Sequence, residues 1–177
     1  MPPIATTSSA THPPNDPIPL SQRSVAMPER ISFGQLPARL LDVVLNVEEY
    51  ANNTGHDFRL VELVRARVSQ LNGCAYCLDR HIKEGIHAGE DPLRYHLLPV
   101  WHETPNFYSP KEQAALRWAE ALTLISEHAI GDELVDATRA HFDRDELATL
   151  TLIVAQINTW NRLAKPFAWQ AGVFQAG

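Results

Sequence analysis

Apolar side chains recur at helical spacing along most of the chain after Pro37. In the first such segment Leu41, Val44 and Leu45 follow a period near 3.6 residues, which predicts an amphipathic helix. Capping and turn residues divide the rest of the pattern into similar segments. Helices are predicted over about 37–52, 57–71, 74–88, 91–98, 109–126, 131–141 and 143–165. Since no segment alternates with the period of a strand, the predicted fold class is all-α, with about seven helices in one domain over residues 29–177.

Two of these helices begin at capping boxes. Ser109 with Glu112, and Asp143 with Glu146, have the spacing in which a cap residue and a carboxylate satisfy the first backbone N–H groups. The helix after Asp143 is apolar nearly all round as far as Ile157. Such a helix is predicted to be buried, either in the core or at a subunit interface.

The first 28 residues are rich in proline, serine and threonine and contain little to bury. Their prolines exclude a helix or a central strand. We interpret residues 1–28 as a proline-rich N-terminal arm, either flexible or docked on a neighbouring subunit.

Composition and charge narrow the class of partner. The net charge of −6 argues against nucleic acid, because phosphate binding requires a basic face. No apolar run reaches the length of about 20 residues that spans a bilayer, and no secretory signal is recognisable. Two closely spaced cysteines without an export signal are typical of a cytoplasmic redox or metal pair rather than a structural disulfide.

Both cysteines lie in one short stretch, after the helix stop Asn72-Gly73. The stop places Cys74 at the N-terminus of the third helix, where free N–H groups and the helix dipole favour a thiolate. Cys77 is three residues further on, so both sulfurs share one face and can form a disulfide. His81 follows one turn later on the same face and is a candidate acceptor of the Cys77 proton.

The preceding helix carries a candidate partner for the histidine. If the Asn-Gly turn folds the two helices into a redox hairpin, Glu62 approaches His81 and orients its imidazole. Ser69 lies on roughly the same face as Glu62 and is a candidate for the same relay. Tyr76, between the cysteines, is a candidate hydroxyl at the mouth of the site.

Each of these residues has a competing interpretation. Glu62 equally fits a surface carboxylate paired with Arg65, and Ser69 and Tyr76 also fit packing roles. A zinc site is the main alternative for the cysteine pair, although zinc sites usually show a second ligand pair at regular spacing. Its ligands would be Cys74, Cys77 and His81, with a fourth from His56, His87 or His102.

The arrangement of Glu62, then eleven residues, Cys-x-x-Cys, three residues and His81 resembles the signature of AhpD-like alkylhydroperoxidases of the carboxymuconolactone decarboxylase superfamily. The stretches 67–81, 101–105, 111–121 and 157–162 also resemble single-domain members of this family. The resemblance covers about residues 31–168 and excludes the N-terminal arm.

The resemblance implies an all-helical protein that assembles as a homo-oligomer, a trimer or a hexamer. It implies a peroxidase without a bound cofactor or metal, acting on small hydroperoxides. Cys77 would be the thiolate that attacks the peroxide, Cys74 would resolve the sulfenic acid to a disulfide, and His81 with Glu62 would relay protons. A lipoyl-carrying or thioredoxin-like protein would reduce the disulfide again. Tyr76 departs from those members of the family that have histidine at this position.

Two other functions stay open at this point. One is a lactone enzyme of the decarboxylase type, although such members do not use a Cys-x-x-Cys pair. The other is a non-catalytic oligomeric redox sensor that uses the same disulfide.

Near the C-terminus Asn158, Asn161 and Arg162 lie among apolar residues and need polar partners. We interpret them as ties from the last helix to the redox hairpin or to a neighbouring subunit, with a substrate-binding role for Arg162 as the alternative.

Overall fold

The computed structural model describes residues 28–127 and 129–177. These residues form seven α-helices: α1 Ala38–Asn52, α2 Phe58–Asn72, α3 Ala75–His87, α4 Pro92–Leu97, α5 Pro110–Thr123, α6 Asp132–Arg139 and α7 Arg144–Phe167. Short 3-10 turns lie at Phe33–Gln35, Leu98–Glu103 and Pro105–Phe107, and the described ranges contain no strand. The predicted all-α class is therefore confirmed. The predicted arm over 1–28 lies outside the described residues except for Pro28.

The helices begin where the capping residues predict. Asp57 and Asp91 accept hydrogen bonds from backbone N–H groups in the first turns of α2 and α4. Both predicted capping boxes form, and Ser109 N donates to Glu112 Oε2 at 2.7 Å. Pro37 was expected as the first helical residue but is the N-cap of α1, with extended ψ.

Helix ends are less well predicted than helix starts. α5 ends at Thr123 and α6 at Arg139, slightly before their expected ends. α7 continues past Lys165 to Phe167 because Pro166 is accommodated in its last turn, and the left-handed Ala168 closes it.

α2 is the central helix, and it packs against α3, α5 and α7. Its sequence explains this position, because apolar residues surround much of it and even its polar Glu62, Arg65 and Ser69 are buried. α7 buries Ile153 and Ile157 but leaves Ala155 exposed in the single chain. Among the described residues, no helix combines the length and apolar character needed to cross a membrane.

Residues 28–36, which we call the N-terminal strap, lie against the end of α7. Arg30 N donates to Phe167 O at 2.9 Å, and Trp169 Nε1 donates to Ile31 O at 2.9 Å. These bonds hold Phe33 against Trp169, with ring centroids 5.5 Å apart. The strap therefore brings an aromatic ring from outside the main helices to the end of the redox hairpin.

Candidate active site

The turn between α2 and α3 positions the two cysteines. Gly73 adopts φ 62°, ψ 37°, the left-handed conformation that ends α2, so the predicted stop is confirmed. Cys74 N donates to Ser69 O at 2.9 Å, and Cys74 is the N-cap of α3. Cys77 lies in the first turn of α3. Both cysteines are buried free thiols.

Glu62 and His81 meet in the interior between the two helices. Glu62 Oε2 lies 2.7 Å from His81 Nδ1, and Glu62 Oε1 accepts a hydrogen bond from Arg65 Nη1 at 2.8 Å. Glu62 is fully buried and His81 is 4% exposed. The pair with Arg65 therefore exists, but the interpretation of Glu62 as a surface carboxylate is wrong. Breaking such a buried pair is costly, because it leaves an uncompensated charge in the interior.

A second carboxylate contacts the same histidine. Glu84 Oε2 lies 3.3 Å from His81 Nδ1, and Arg80 binds both Glu84 at 3.2 Å and Glu48 at 2.9 Å. Gln156 of α7 donates to Glu48 Oε2 at 3.1 Å. Sequence reasoning missed this extension. The spacing of Glu84 three residues after His81, on the same helical face, is the signal that points to it.

The carboxylates around His81 favour its charged form. Burial opposes the charge, but the charge of Glu62 and its hydrogen bond outweigh burial and raise the pKa of His81 above 6.5. Burial likewise opposes the charge of Glu84, yet the His81 hydrogen bond and the charge of Arg80 lower the pKa of Glu84 to about 2. The contacts with Glu62 and Glu84 therefore shift His81 toward its protonated form.

The two thiols have opposite pKa shifts. The interaction with the Cys77 thiol, acting against burial, lowers the pKa of Cys74 to about 7, and the charges of His81 and Lys165 contribute. The interaction with Cys74, together with burial, raises the pKa of Cys77 well above its usual value. The negative charge of the reduced pair therefore rests on Cys74, as the helix terminus predicts, while Cys77 keeps its proton.

A small, partly open cavity lies beside Cys77. The space open to the centre of a water-sized sphere is about 20 Å³, which suits a molecule little larger than water. Aromatic rings form most of the wall, and a thiol and two basic side chains complete it. The lining residues are Phe33, Tyr76, Cys77, Arg80, His81, Trp160 and Trp169.

The remaining predicted residues have structural contacts. Tyr76 lies in the cavity wall with its ring 5.5 Å from Trp169, and burial raises the pKa of its hydroxyl. Ser69 Oγ accepts from Asn161 Nδ2 at 3.2 Å, so among the described residues its partner is on α7 and is not Glu62. Asn161 Oδ1 also accepts from Asn72 Nδ2 at 2.8 Å.

The predicted tie between α7 and the redox hairpin is therefore confirmed. Asn158 takes part in it as well, since its Oδ1 accepts from Asn72 Nδ2 at 3.0 Å. Arg162 is exposed, donates to Asn158 Oδ1 at 2.7 Å and does not line the cavity beside Cys77.

The ligands of the zinc alternative are not gathered in the described part of the chain. In residues 28–127 and 129–177, one group of at least three residues has its possible ligand atoms close together. It consists of Glu62, His81 and Glu84 and contains neither cysteine. Two of the candidate fourth ligands have other partners. His56 contacts Glu146 O and Thr149 Oγ1, and His102 contacts Glu120.

Comparisons with known proteins agree with the fold. The sequence model described as the carboxymuconolactone decarboxylase family matches residues 38–121. The uncharacterized protein YdfG of Bacillus subtilis is 37% identical over 138 residues, which covers 78% of this chain and 93% of YdfG. The uncharacterized protein YnjA of Escherichia coli is 33% identical over 99 residues and is covered to 52% of its length.

Solved structures show the same relationship. A protein of unknown function from Agrobacterium tumefaciens, described as a candidate antioxidant defence protein AhpD, superposes with a TM-score of 0.78 and 36% identity, over 82% of this chain and 99% of that one. A peroxidase-related protein from Silicibacter shares the fold at a TM-score of 0.69 and 19% identity, over 78% of this chain and 73% of that one. The helical fold with its redox hairpin is thus AhpD-like. This chain belongs to the carboxymuconolactone decarboxylase family.

Proposed function

We propose that this protein is a thiol-dependent peroxidase that reduces alkyl hydroperoxides or hydrogen peroxide. The observation that carries the proposal is the cavity beside Cys77, whose wall also contains His81 held by Glu62 at 2.7 Å. A peroxidatic thiol needs access for a small oxidant, a place for its proton and an acid for the leaving oxygen. The reduced Cys74–Cys77 pair with His81 contains all three.

In the proposed first step the Cys77 sulfur attacks the terminal peroxide oxygen. The S–O bond forms and the O–O bond breaks, so sulfur is oxidised to a sulfenic acid and the peroxide is reduced. The Cys77 proton passes to the Cys74 thiolate beside it, and the departing alkoxide takes a proton from His81. The raised pKa of His81 supports this donor role, which differs from the acceptor role that spacing alone predicts.

In the proposed second step the Cys74 thiol attacks the Cys77 sulfenic acid. The S–S bond forms, the S–OH bond breaks, and water leaves with the Cys74 proton. An external thiol then reduces the disulfide, and we propose a lipoyl-carrying or thioredoxin-like protein as its source. Because turnover requires a reducing supply of thiols, we also propose a cytoplasmic location.

The descriptions of the structural neighbours support this class of activity. The Agrobacterium protein is described as a candidate for antioxidant defence, and its identity to this chain is 36%. The Silicibacter protein is called peroxidase-related, but at 19% identity it supports the fold alone.

The test is stopped-flow consumption of hydrogen peroxide and tert-butyl hydroperoxide in the presence of an excess of a dithiol reductant. The parent protein is expected to turn over, and Cys77→Ser is expected to lose activity entirely. Cys74→Ser should form one equivalent of sulfenic acid on Cys77 without forming the disulfide. Parent-like turnover by Cys77→Ser would overturn the mechanism.

The two alternative functions, a lactone enzyme and a redox sensor, predict different experimental results. Activity on a lactone that survives replacement of both cysteines would favour the decarboxylase-type enzyme. Oxidation that changes the state of assembly without turnover would favour a redox sensor.

A further inference from the structure

One tryptophan in the cavity wall has an unused hydrogen-bond donor. Trp160 is 6% exposed, and its buried Nε1 has no acceptor among residues 28–127 and 129–177. The chain has four tryptophans, and the other three donate to protein oxygens: Trp101 to Glu120 at 2.7 Å, Trp118 to Thr151 at 3.0 Å and Trp169 to Ile31 at 2.9 Å. An unpaired buried donor costs free energy, so this N–H needs an acceptor from elsewhere.

The position of Trp160 indicates where that acceptor is found. Trp160 lines the same cavity as Cys77 and His81. Phe33 of the N-terminal strap covers it, with ring centroids 6.2 Å apart and planes inclined by 27°. A molecule that enters this cavity therefore lies beside the side chains of Trp160, Cys77 and His81. Trp160 belongs to α7, beyond the residues 38–121 that the family model matches.

We propose that the Trp160 indole N–H binds the hydroperoxide and stabilises the oxygen that departs when Cys77 attacks. The inference rests on the proposed peroxidase function and adds a substrate-contacting residue to it. A hydroperoxide has two oxygens that can accept a hydrogen bond. Hydrogen peroxide, which is little larger than water, suits the size of the cavity. The Trp160 N–H is a neutral donor in the cavity wall, and the basic side chains there are His81 and Arg80.

The donor acts where charge develops. As the S–O bond forms and the O–O bond breaks, negative charge accumulates on the distal oxygen before His81 delivers its proton. A fixed donor in a buried site stabilises that charge more than it stabilises the neutral peroxide. Removing one such donor commonly lowers a rate by about 100-fold. We expect a smaller loss of about tenfold here, because His81 serves the same oxygen.

The first test compares Trp160→Phe, which removes the N–H but keeps an aromatic ring, with Trp118→Phe. Trp118 is equally buried, and its N–H donates away from the cavity. We expect Trp160→Phe to lower kcat/KM for hydrogen peroxide about tenfold, with circular dichroism and the rate of alkylation by iodoacetamide unchanged. Trp118→Phe is expected to retain the parental kcat/KM.

The outcomes separate the two proposals. A parent protein that does not consume peroxide contradicts the proposed function. A parent that consumes peroxide, together with a folded Trp160→Phe of equal kcat/KM, contradicts the role of Trp160 alone. A parallel loss of alkylation rate in Trp160→Phe would mean that the variant disturbs the thiols, and this also contradicts the proposal.

A second measurement does not depend on the folding of Trp160→Phe. In the Cys74→Ser/Cys77→Ser protein labelled with 15N-tryptophan, the indole N–H signals are recorded during titration with hydrogen peroxide. One of the indole signals should shift, because the other three N–H groups are already bonded to the protein. Equal shifts of all signals, or no shift at all, would overturn the inference.

Discussion

At the scale of single residues, the two cysteines differ although they share one helical face. Cys74 caps α3 and carries the charge of the reduced pair, whereas Cys77 lines the cavity and keeps its proton. The lowered pKa and the place in the cavity wall therefore belong to different sulfurs. The sequence pattern predicts the acidity of Cys74, whereas the role of Cys77 in attack is what the family resemblance implies.

The first prediction concerns the titration of this pair. With the pKa of Cys74 lowered to about 7 and that of Cys77 raised, one thiolate should appear as the pH increases through about 7, and the second should appear only above the ordinary cysteine pKa of 9.0. Absorbance at 240 nm of the reduced protein measures this. Cys74→Ser should abolish the neutral step. If Cys74→Ser kept the absorbance change near pH 7 and Cys77→Ser lost it, the lowered pKa would belong to Cys77 instead of Cys74.

The second prediction concerns the buried carboxylate. Glu62→Gln removes the charge between Arg65 and His81, and it leaves Arg65, only 2% exposed, without a counter-ion. Loss of one partner of a buried pair typically costs about 3–5 kcal/mol in the free energy of unfolding. Urea denaturation at pH 7, at a fixed protein concentration, measures the loss.

Asp145→Asn is the matched control, because it also neutralises a carboxylate paired with arginine. The Arg144–Asp145 pair is highly exposed, so its removal should cost less than about 1 kcal/mol. Equal costs for the two variants would show that Glu62 is not part of a desolvated network.

At the scale of elements, the redox hairpin depends on the geometry of its turn. Gly73 has φ 62°, and a Cβ built at this position lies 3.4 Å from Lys165 Nζ. Gly73→Ala should therefore destabilise the protein by about 1 kcal/mol or more through backbone strain. The midpoint of urea denaturation measures this change. Gly34→Ala is the control, because its Cβ has no atom within 4 Å and its φ is not in the left-handed region. A neutral Gly73→Ala would mean that the turn relaxes without strain.

The hairpin also shows which parts of the site are predictable. Asn72-Gly73 is a local signal, and so is the helical spacing of Cys74, Cys77 and His81; the structure reproduces both as predicted. The bond between Glu62 and His81 follows once the two helices fold back on each other. The spacing of Glu84 after His81 is also a local signal, but the ion pair between Arg80 and Glu48 of α1 joins distant segments and cannot be inferred from spacing.

At the scale of the whole molecule, the sequence does not predict the contacts that the N-terminal strap makes with the end of α7. Phe33 reaches the cavity because the strap bonds to Phe167 O and because Ile31 accepts from Trp169, more than 130 residues away in sequence. No local periodicity records such contacts. The fold class can be predicted from local patterns. The position of Phe33 in the cavity wall is seen only in the three-dimensional structure.

The last prediction concerns assembly, for which the resemblance implies a trimer or a hexamer. The apolar residues Leu40, Val43, Val47 and Tyr50 form one stripe along α1, and Val43 and Tyr50 are 59% and 60% exposed. Isolated exposed apolar side chains are ordinary, but a stripe of them marks a surface that another molecule covers. We propose that a second copy of this chain covers it.

Val43→Glu places a charge in the middle of that stripe, and burying an unpaired charge at an interface is costly. Light scattering after size-exclusion chromatography should show the mass shifting toward the 19.8 kDa of one chain. Ala137→Glu adds the same charge at an exposed position of α6 and should leave the mass unchanged. An oligomer that survives Val43→Glu would show that its contacts lie elsewhere, and a parent protein that is already monomeric would contradict the proposed assembly itself.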